Sequence, residues 1–119
     1  VPSGLNSSHI SHDLRIVESY EKDPLVNDTT TPGWFESIMA THKDVFADSH
    51  KIEIPVHILM AGDDLIVDPD RTKVFYDSLP SNLDKSLKIY KTMYHEIFNE
   101  IGRNEVYDDL LSLLQKLAK

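Results

Sequence analysis

Asp64 and His95 are the two residues whose types and spacing could do chemistry together. A carboxylate that accepts the proton of one imidazole nitrogen fixes the ring's tautomer. It also steadies the imidazolium formed when the other nitrogen takes a proton. Asp64 follows the apolar run Pro55-Val56-His57-Ile58-Leu59-Met60-Ala61, which reads as a buried strand. His95 follows Ser86-Leu87-Lys88-Ile89-Tyr90-Lys91, whose polar–apolar alternation reads as a second strand. The separation is 31 residues (95 − 64), which leaves room for a helix and a return strand. Adjacent parallel strands lie roughly 5 Å apart, and sites in open parallel sheets collect at their carboxyl ends. Loops leaving two such strands therefore bring an Asp and a His within hydrogen-bonding reach.

The elements that must position this pair are legible along the second half of the chain. Pro69 begins a helix predicted to run through Leu79, with Asp68 as its N-cap and Val74, Phe75 and Leu79 on the apolar side. Pro80-Ser81-Asn82 breaks it, and Gly102 precedes a final helix with Val106, Leu110, Leu113, Leu114 and Leu117 on one stripe. The order strand, acidic loop, helix, strand, histidine loop, helix indicates a parallel sheet covered by helices, with a right-handed crossover. Two strands alone leave both edges open and both faces in need of cover. In the first half, residues 1–11 read as a loop. A short helix over 12–22 is capped by Ser11, and a longer one starts at Thr31-Pro32 and ends near Asp48-Ser49. The longer helix carries Trp34, Phe35, Ile38, Met39, His42, Val45 and Phe46 at helical spacing.

Composition narrows the function classes. The chain has 119 residues and a net charge of −8, so it offers no basic stripe for nucleic acid and no simple attraction to an anionic membrane surface. With no cysteine, disulfides, thiolate zinc sites and a cysteine nucleophile are excluded within these residues. No apolar run approaches the ~20 residues of a membrane-spanning helix. The opening Val1-Pro2-Ser3-Gly4-Leu5 lacks an initiator Met and a signal core, as expected of a piece cut from something longer.

Every candidate also has a plainer structural use. Asp64 could be a solvated turn, and His95 a loop histidine bonded to backbone. Glu96 reads as a surface charge or a support to the site. His9 and His12 lack a third ligand and read as surface residues. His57 and His42 read as packed, and His50 has no partner in sequence. The Trp34–Phe46 stripe reads as core, or else as a face for an acyl chain or membrane lipid. The C-terminal Leu stripe reads as packing.

Three segments carry a family resemblance. Ala61-Gly62-Asp63-Asp64-Leu65-Ile66-Val67-Asp68-Pro69 resembles the acid loop of α/β-hydrolases, with Asp64 rather than Asp63 aligned as the acid. Leu87-Lys88-Ile89-Tyr90 followed by Tyr94-His95-Glu96 resembles the strand and histidine loop of the monoacylglycerol lipase and lysophospholipase branch. Glu18-Ser19-Tyr20-Glu21-Lys22-Asp23-Pro24-Leu25-Val26 resembles a segment of that branch's cap. Thr92 stands where many relatives carry Gly.

The resemblance implies an α/β fold: the C-terminal portion of an α/β-hydrolase, with two parallel strands, flanking helices and part of a helical cap. Residues 1–50 would belong to the cap and return helix, and 51–119 to the core that carries the acid and histidine loops. It implies a serine ester hydrolase whose catalytic residues here are Asp64 and His95, needing no metal or organic cofactor. The family's Ser sits in a G-x-S-x-G elbow. Glycines occur here only at 4, 33, 62 and 102, with no Ser between two of them at that spacing. The nucleophile and the oxyanion loop are thus expected upstream of Val1, in the N-terminal part of the same protein, and this stretch alone is expected to be inactive. The implied substrate is a monoacylglycerol, a lysophospholipid or a related acyl ester. The absence of cysteine fits a cytoplasmic location, and the resemblance adds peripheral membrane contact through the cap. An aminopeptidase or general carboxylesterase, a non-catalytic hydrolase-fold binding module and a self-contained small interaction domain remain as alternatives.

Overall fold

The computed structural model describes residues 1–118. Four α-helices and two strands follow in the order α1 (Leu14–Lys22), α2 (Pro32–Asp48), β1 (Val56–Ala61), α3 (Pro69–Ser78), β2 (Lys85–Tyr90) and α4 (Arg103–Leu117). β1 and β2 pair in parallel, from Val56 opposite Lys85 to Ala61 opposite Tyr90. α3 makes the crossover that a parallel pair requires.

Local chemistry sets the helix starts. Thr31 Oγ1 accepts the Trp34 N–H at 3.2 Å, ahead of Pro32 in the first turn. Asp68 does the same for the Asp70 N–H at 2.9 Å, ahead of Pro69. α1 is capped by Asp13, not by Ser11: Asp13 Oδ1 accepts the Arg15 N–H at 3.1 Å. The Ser11 hydroxyl is engaged elsewhere, accepting from the Asp13 N–H and donating to the Asn99 carbonyl. α4 starts after Gly102, whose φ of +88° is a conformation that costs a residue with a Cβ. The opening loop contains a single 3₁₀ turn at Ser7–His9, and a bridge joins Pro2 to Thr29.

The core is small. Ala61, Tyr90, Met93, Ile97 and Val106 form one buried cluster, with Leu59 packed against it. It therefore lies at the carboxyl ends of the strands, under the loops that follow them. Several faces expected to be covered are not. Trp34, Phe35, Met39 and Val45 of α2 are exposed, Trp34 at 56%, and His42 is exposed with them, so neither that stripe nor His42 is core within these residues. Leu14, Val74, Leu111, Leu114 and Leu117 are also exposed, so the α4 stripe is only partly packed. Amphipathic spacing marks a face that needs cover, and these residues do not supply the covering layer. The dimensions agree: the Cα radius of gyration is 16.3 Å, against about 13.5 Å for a compact domain of this length.

At Gly62, β1 passes against the turn that follows β2. A Cβ there would sit 2.7 Å from the Lys91 Cα and 3.0 Å from the Lys91 carbonyl oxygen, closer than atoms pack. Backbone cannot swing aside as a side chain does. Gly62→Ala is expected to destabilise the protein carrying this chain by about 1–3 kcal/mol, read as a lower urea midpoint at unchanged slope; an unchanged midpoint contradicts the close approach.

Candidate active site

The strand pairing continues into the loops. The Gly62 N–H donates to the Tyr90 carbonyl at 2.9 Å, and the Asp63 N–H to the Met93 carbonyl at 3.2 Å. These bonds hold the acid loop beside the segment that leads to His95. Asp64 Oδ1 accepts the N–H groups of Ile66 (2.8 Å) and Val67 (2.9 Å), closing a local turn. Asp64 Oδ2 is left facing His95, 2.9 Å from Nδ1.

An ionised carboxylate only accepts, so this contact requires the proton on Nδ1. Nε2 then holds the lone pair. No protein group among the described residues bonds Nε2, and the His95 side chain is 37% exposed against 11% for Asp64. One nitrogen of the imidazole is thus fixed by a shielded anion while the other stays open. Burial pushes the Asp64 carboxyl up. The Val67 N–H, the His95 ring and the Ile66 N–H together outweigh burial and hold it below the ordinary 3.8. Because the folded value is depressed, the stabilisation is present above 3.8 and is lost as pH falls through the lower folded value.

The two residues singled out by spacing are therefore brought together, and the neighbouring candidates are not. Asp63 is exposed and contributes its backbone N–H. Glu96 lies in the histidine loop, accepting from Asn99 Nδ2 at 2.7 Å while its own N–H donates to the Ile10 carbonyl. His57 packs within β1 as expected; Nδ1 lies 2.8 Å from Ser86 Oγ, and the buried Nε2 makes no hydrogen bond among the described residues, with Asp84 Oδ2 4.0 Å away. His12 is not a free surface residue: Nδ1 meets the Glu100 carboxylate at 2.6 Å and the ring stacks on Tyr94 at 3.7 Å. His9 bonds Asn6 instead, so the two histidines do not converge. Among the described residues no group of three or more His, Asp or Glu side chains is arranged to hold a metal.

Glu100 is the polar residue of this region that sequence reasoning missed. It is 1% exposed, yet nothing in its local sequence marks it as buried. The only available signal was a carboxylate within a few residues of His95 on the way to the Gly102 helix start.

Comparison with known proteins places this arrangement. A family model described as serine aminopeptidase, S33 matches residues 1–102, which include both Asp64 and His95. An uncharacterised abhydrolase domain-containing protein of Dictyostelium discoideum is 28% identical over 116 residues, 98% of this chain and 12% of its own length. A monoacylglycerol lipase of Mycolicibacterium smegmatis is 26% identical over 109 residues, 91% of this chain and 39% of its own. The crystal structure of a soluble variant of the Saccharomyces cerevisiae monoglyceride lipase, in complex with a substrate analogue, superimposes with a TM-score of 0.85. It is 27% identical and covers 98% of this chain and 43% of that one. The chain thus spans less than half the length of these relatives. Its two parallel strands with flanking helices are the arrangement found in that part of an α/β-hydrolase.

A carbon-13 titration of the Asp64 carboxyl should give a midpoint below the ordinary 3.8. Asn in place of either loop N–H partner is no test, since these are backbone groups; His95→Ala is the informative change and should move the midpoint upward. A midpoint at or above the ordinary value in the unaltered protein contradicts the hydrogen-bonded, ionised carboxylate described here.

Proposed function

This chain belongs to the serine aminopeptidase S33 family of α/β-hydrolases, and from that premise we propose that it is the acid- and base-bearing part of a serine ester hydrolase acting on monoacylglycerol-type lipids. The observation that carries the reading is the 2.9 Å contact between Asp64 Oδ2 and His95 Nδ1 at the carboxyl ends of adjacent parallel strands. It leaves Nε2 free to take a proton from a nucleophile.

That nucleophile is a Ser outside the sequence described here. Its Oγ attacks the ester carbonyl carbon as Nε2 of His95 takes the hydroxyl proton, and Asp64 steadies the imidazolium. Collapse of the tetrahedral intermediate breaks the bond to the alcohol oxygen, which leaves with the proton from Nε2. Water then attacks the acyl-enzyme through the same base, releasing the fatty acid and restoring Ser. Backbone N–H groups, also outside this sequence, stabilise the oxyanion. Residues 1–50 belong to the cap and return helix in this reading, with the exposed Trp34, Phe35 and Met39 face turned toward the acyl chain. In this reading the rest of the longer protein supplies the further strands of the sheet and covers the uncovered face of α4.

The ester reading is favoured over aminopeptidase chemistry by relatives that match nearly the whole chain and are named as monoacylglycerol or monoglyceride lipases. No described helix is long and apolar enough to cross a membrane; in this reading lipid contact is made through the exposed apolar face of α2.

In the complete protein, a fluorophosphonate should label one Ser, and monoacylglycerol should be cleaved faster than lysophospholipid or an aminoacyl amide. His95→Ala should lower kcat by about 10⁶-fold and Asp64→Asn by about 10⁴-fold, whereas Asp63→Asn should stay within about twofold of wild type because its carboxylate is exposed. Loss of activity with Asp63→Asn but not with Asp64→Asn would reverse the assignment of the acid. Absence of labelling and of hydrolysis in the wild type would favour a non-catalytic binding module.

A further inference from the structure

The loop that presents His95 is anchored by a carboxylate that takes no part in the proton transfers described above. Glu100 is 1% exposed. Its Oε1 accepts three bonds: from the Tyr94 N–H at 3.0 Å, the His12 N–H at 3.0 Å and His12 Nδ1 at 2.6 Å. Its Oε2 accepts the Ile101 N–H at 2.7 Å. Tyr94 immediately precedes His95, so holding its amide fixes the Met93–Tyr94 peptide, one residue ahead of the histidine. The His12 ring closes the arrangement from outside by stacking on Tyr94 at 3.7 Å.

From this arrangement we propose that Glu100 is the positioning residue of the histidine loop, tying it to the segment before α1 so that His95 is held at its working distance from Asp64. The chemistry favours such a use. A buried carboxylate is costly unless its lone pairs are filled, and here four N–H donors from three places in the chain fill them. The anion therefore cannot leave without stranding those donors, and the donors cannot drift without exposing the anion. Two neighbouring bonds reinforce the tie: the Glu96 N–H donates to the Ile10 carbonyl at 2.9 Å, and Ser11 Oγ to the Asn99 carbonyl at 3.0 Å. Segments 88 residues apart in sequence are thereby locked around one side chain. Asp13 adds an outer contact, accepting from Arg103 Nη1 at 3.4 Å. Through this lock the chain before α1 acts on the histidine without touching the reaction.

The inference rests on the hydrolase reading above, and its test separates the two. Glu100→Gln keeps the shape but sets an amide NH₂ against donors that need an acceptor. In the complete enzyme it is expected to lower kcat for a monoacylglycerol by about 10–100-fold with KM within twofold. Amide exchange at His12, Tyr94 and Ile101 should speed up relative to β1 and β2. His12→Ala, which removes one bond at the half-exposed rim and leaves the backbone donors, should give a smaller loss of kcat in the same direction, and it remains readable if the Gln variant does not fold. Unchanged kcat in folded variants, or unchanged exchange at Tyr94, overturns the role of Glu100. So does a lower unfolding midpoint with undiminished activity per folded molecule, since that is a structural part only. A wild-type protein that neither hydrolyses ester nor reacts with fluorophosphonate removes the catalytic reading instead, and Glu100's effect on kcat with it.

Discussion

The parallel register of β1 and β2, with Ala61 opposite Tyr90, fixes where the Asp64 and His95 loops begin. A parallel pair sends its two carboxyl ends to the same edge of the sheet, and every later contact depends on that. Gly62 and Asp63 extend the ladder past the strand ends by bonding Tyr90 and Met93, so the acid loop leaves the sheet already attached to the histidine segment. A slip of one residue would turn each side chain to the opposite face, and would break these two bonds along with the ladder. Gly62 shows how little slack exists at this point, because even one methyl group would meet the Lys91 backbone.

Two carboxylates then divide the work of holding the pair. Asp64 spends one oxygen on its own loop and the other on His95, so the group that orients the imidazole is itself fixed by two backbone N–H groups. Glu100 does the complementary task from the far side of the histidine loop, on backbone amides of three segments. In both cases burial opposes the charge and hydrogen bonds more than offset it, which is why both carboxyls lie below their ordinary values. The arrangement is stiff because each anion and its donors are mutually dependent.

Much of this was legible in the sequence, for identifiable reasons. Thr31-Pro32 and Asp68-Pro69 announce helix starts through chemistry confined to a few neighbouring residues. The apolar run at 55–61 and the alternation at 86–91 announce strands, and the position of Asp64 and His95 just beyond them follows from topology. Ser11 was expected to cap α1 and does not, because its hydroxyl is drawn to the Asn99 carbonyl, far along the chain, which leaves the cap to Asp13. Glu100 was not legible, since its burial depends on His12, 88 residues away, and carries no periodic signature. The α2 stripe was legible as an apolar face, and its two readings stayed open for a different reason: spacing identifies such a face but not the surface that covers it.

That last distinction bears on how the chain holds together. The buried cluster of Ala61, Tyr90, Met93, Ile97 and Val106 sits directly beneath the two loops, while the apolar faces of α2 and α4 farther away are open. The buried cluster therefore lies where the histidine and the acid are presented, and the open apolar faces lie away from it. Val106, at 0% exposure, joins the first turn of α4 to that cluster, and Gly102 sets the angle at which the helix arrives. The segment just before this turn contains Glu100, so the bonds that restrain His95 and the packing that secures α4 share one stretch of backbone. Geometry at the site is consequently built from within this chain, and what the uncovered faces demand from outside is support for the sheet rather than alignment of the pair.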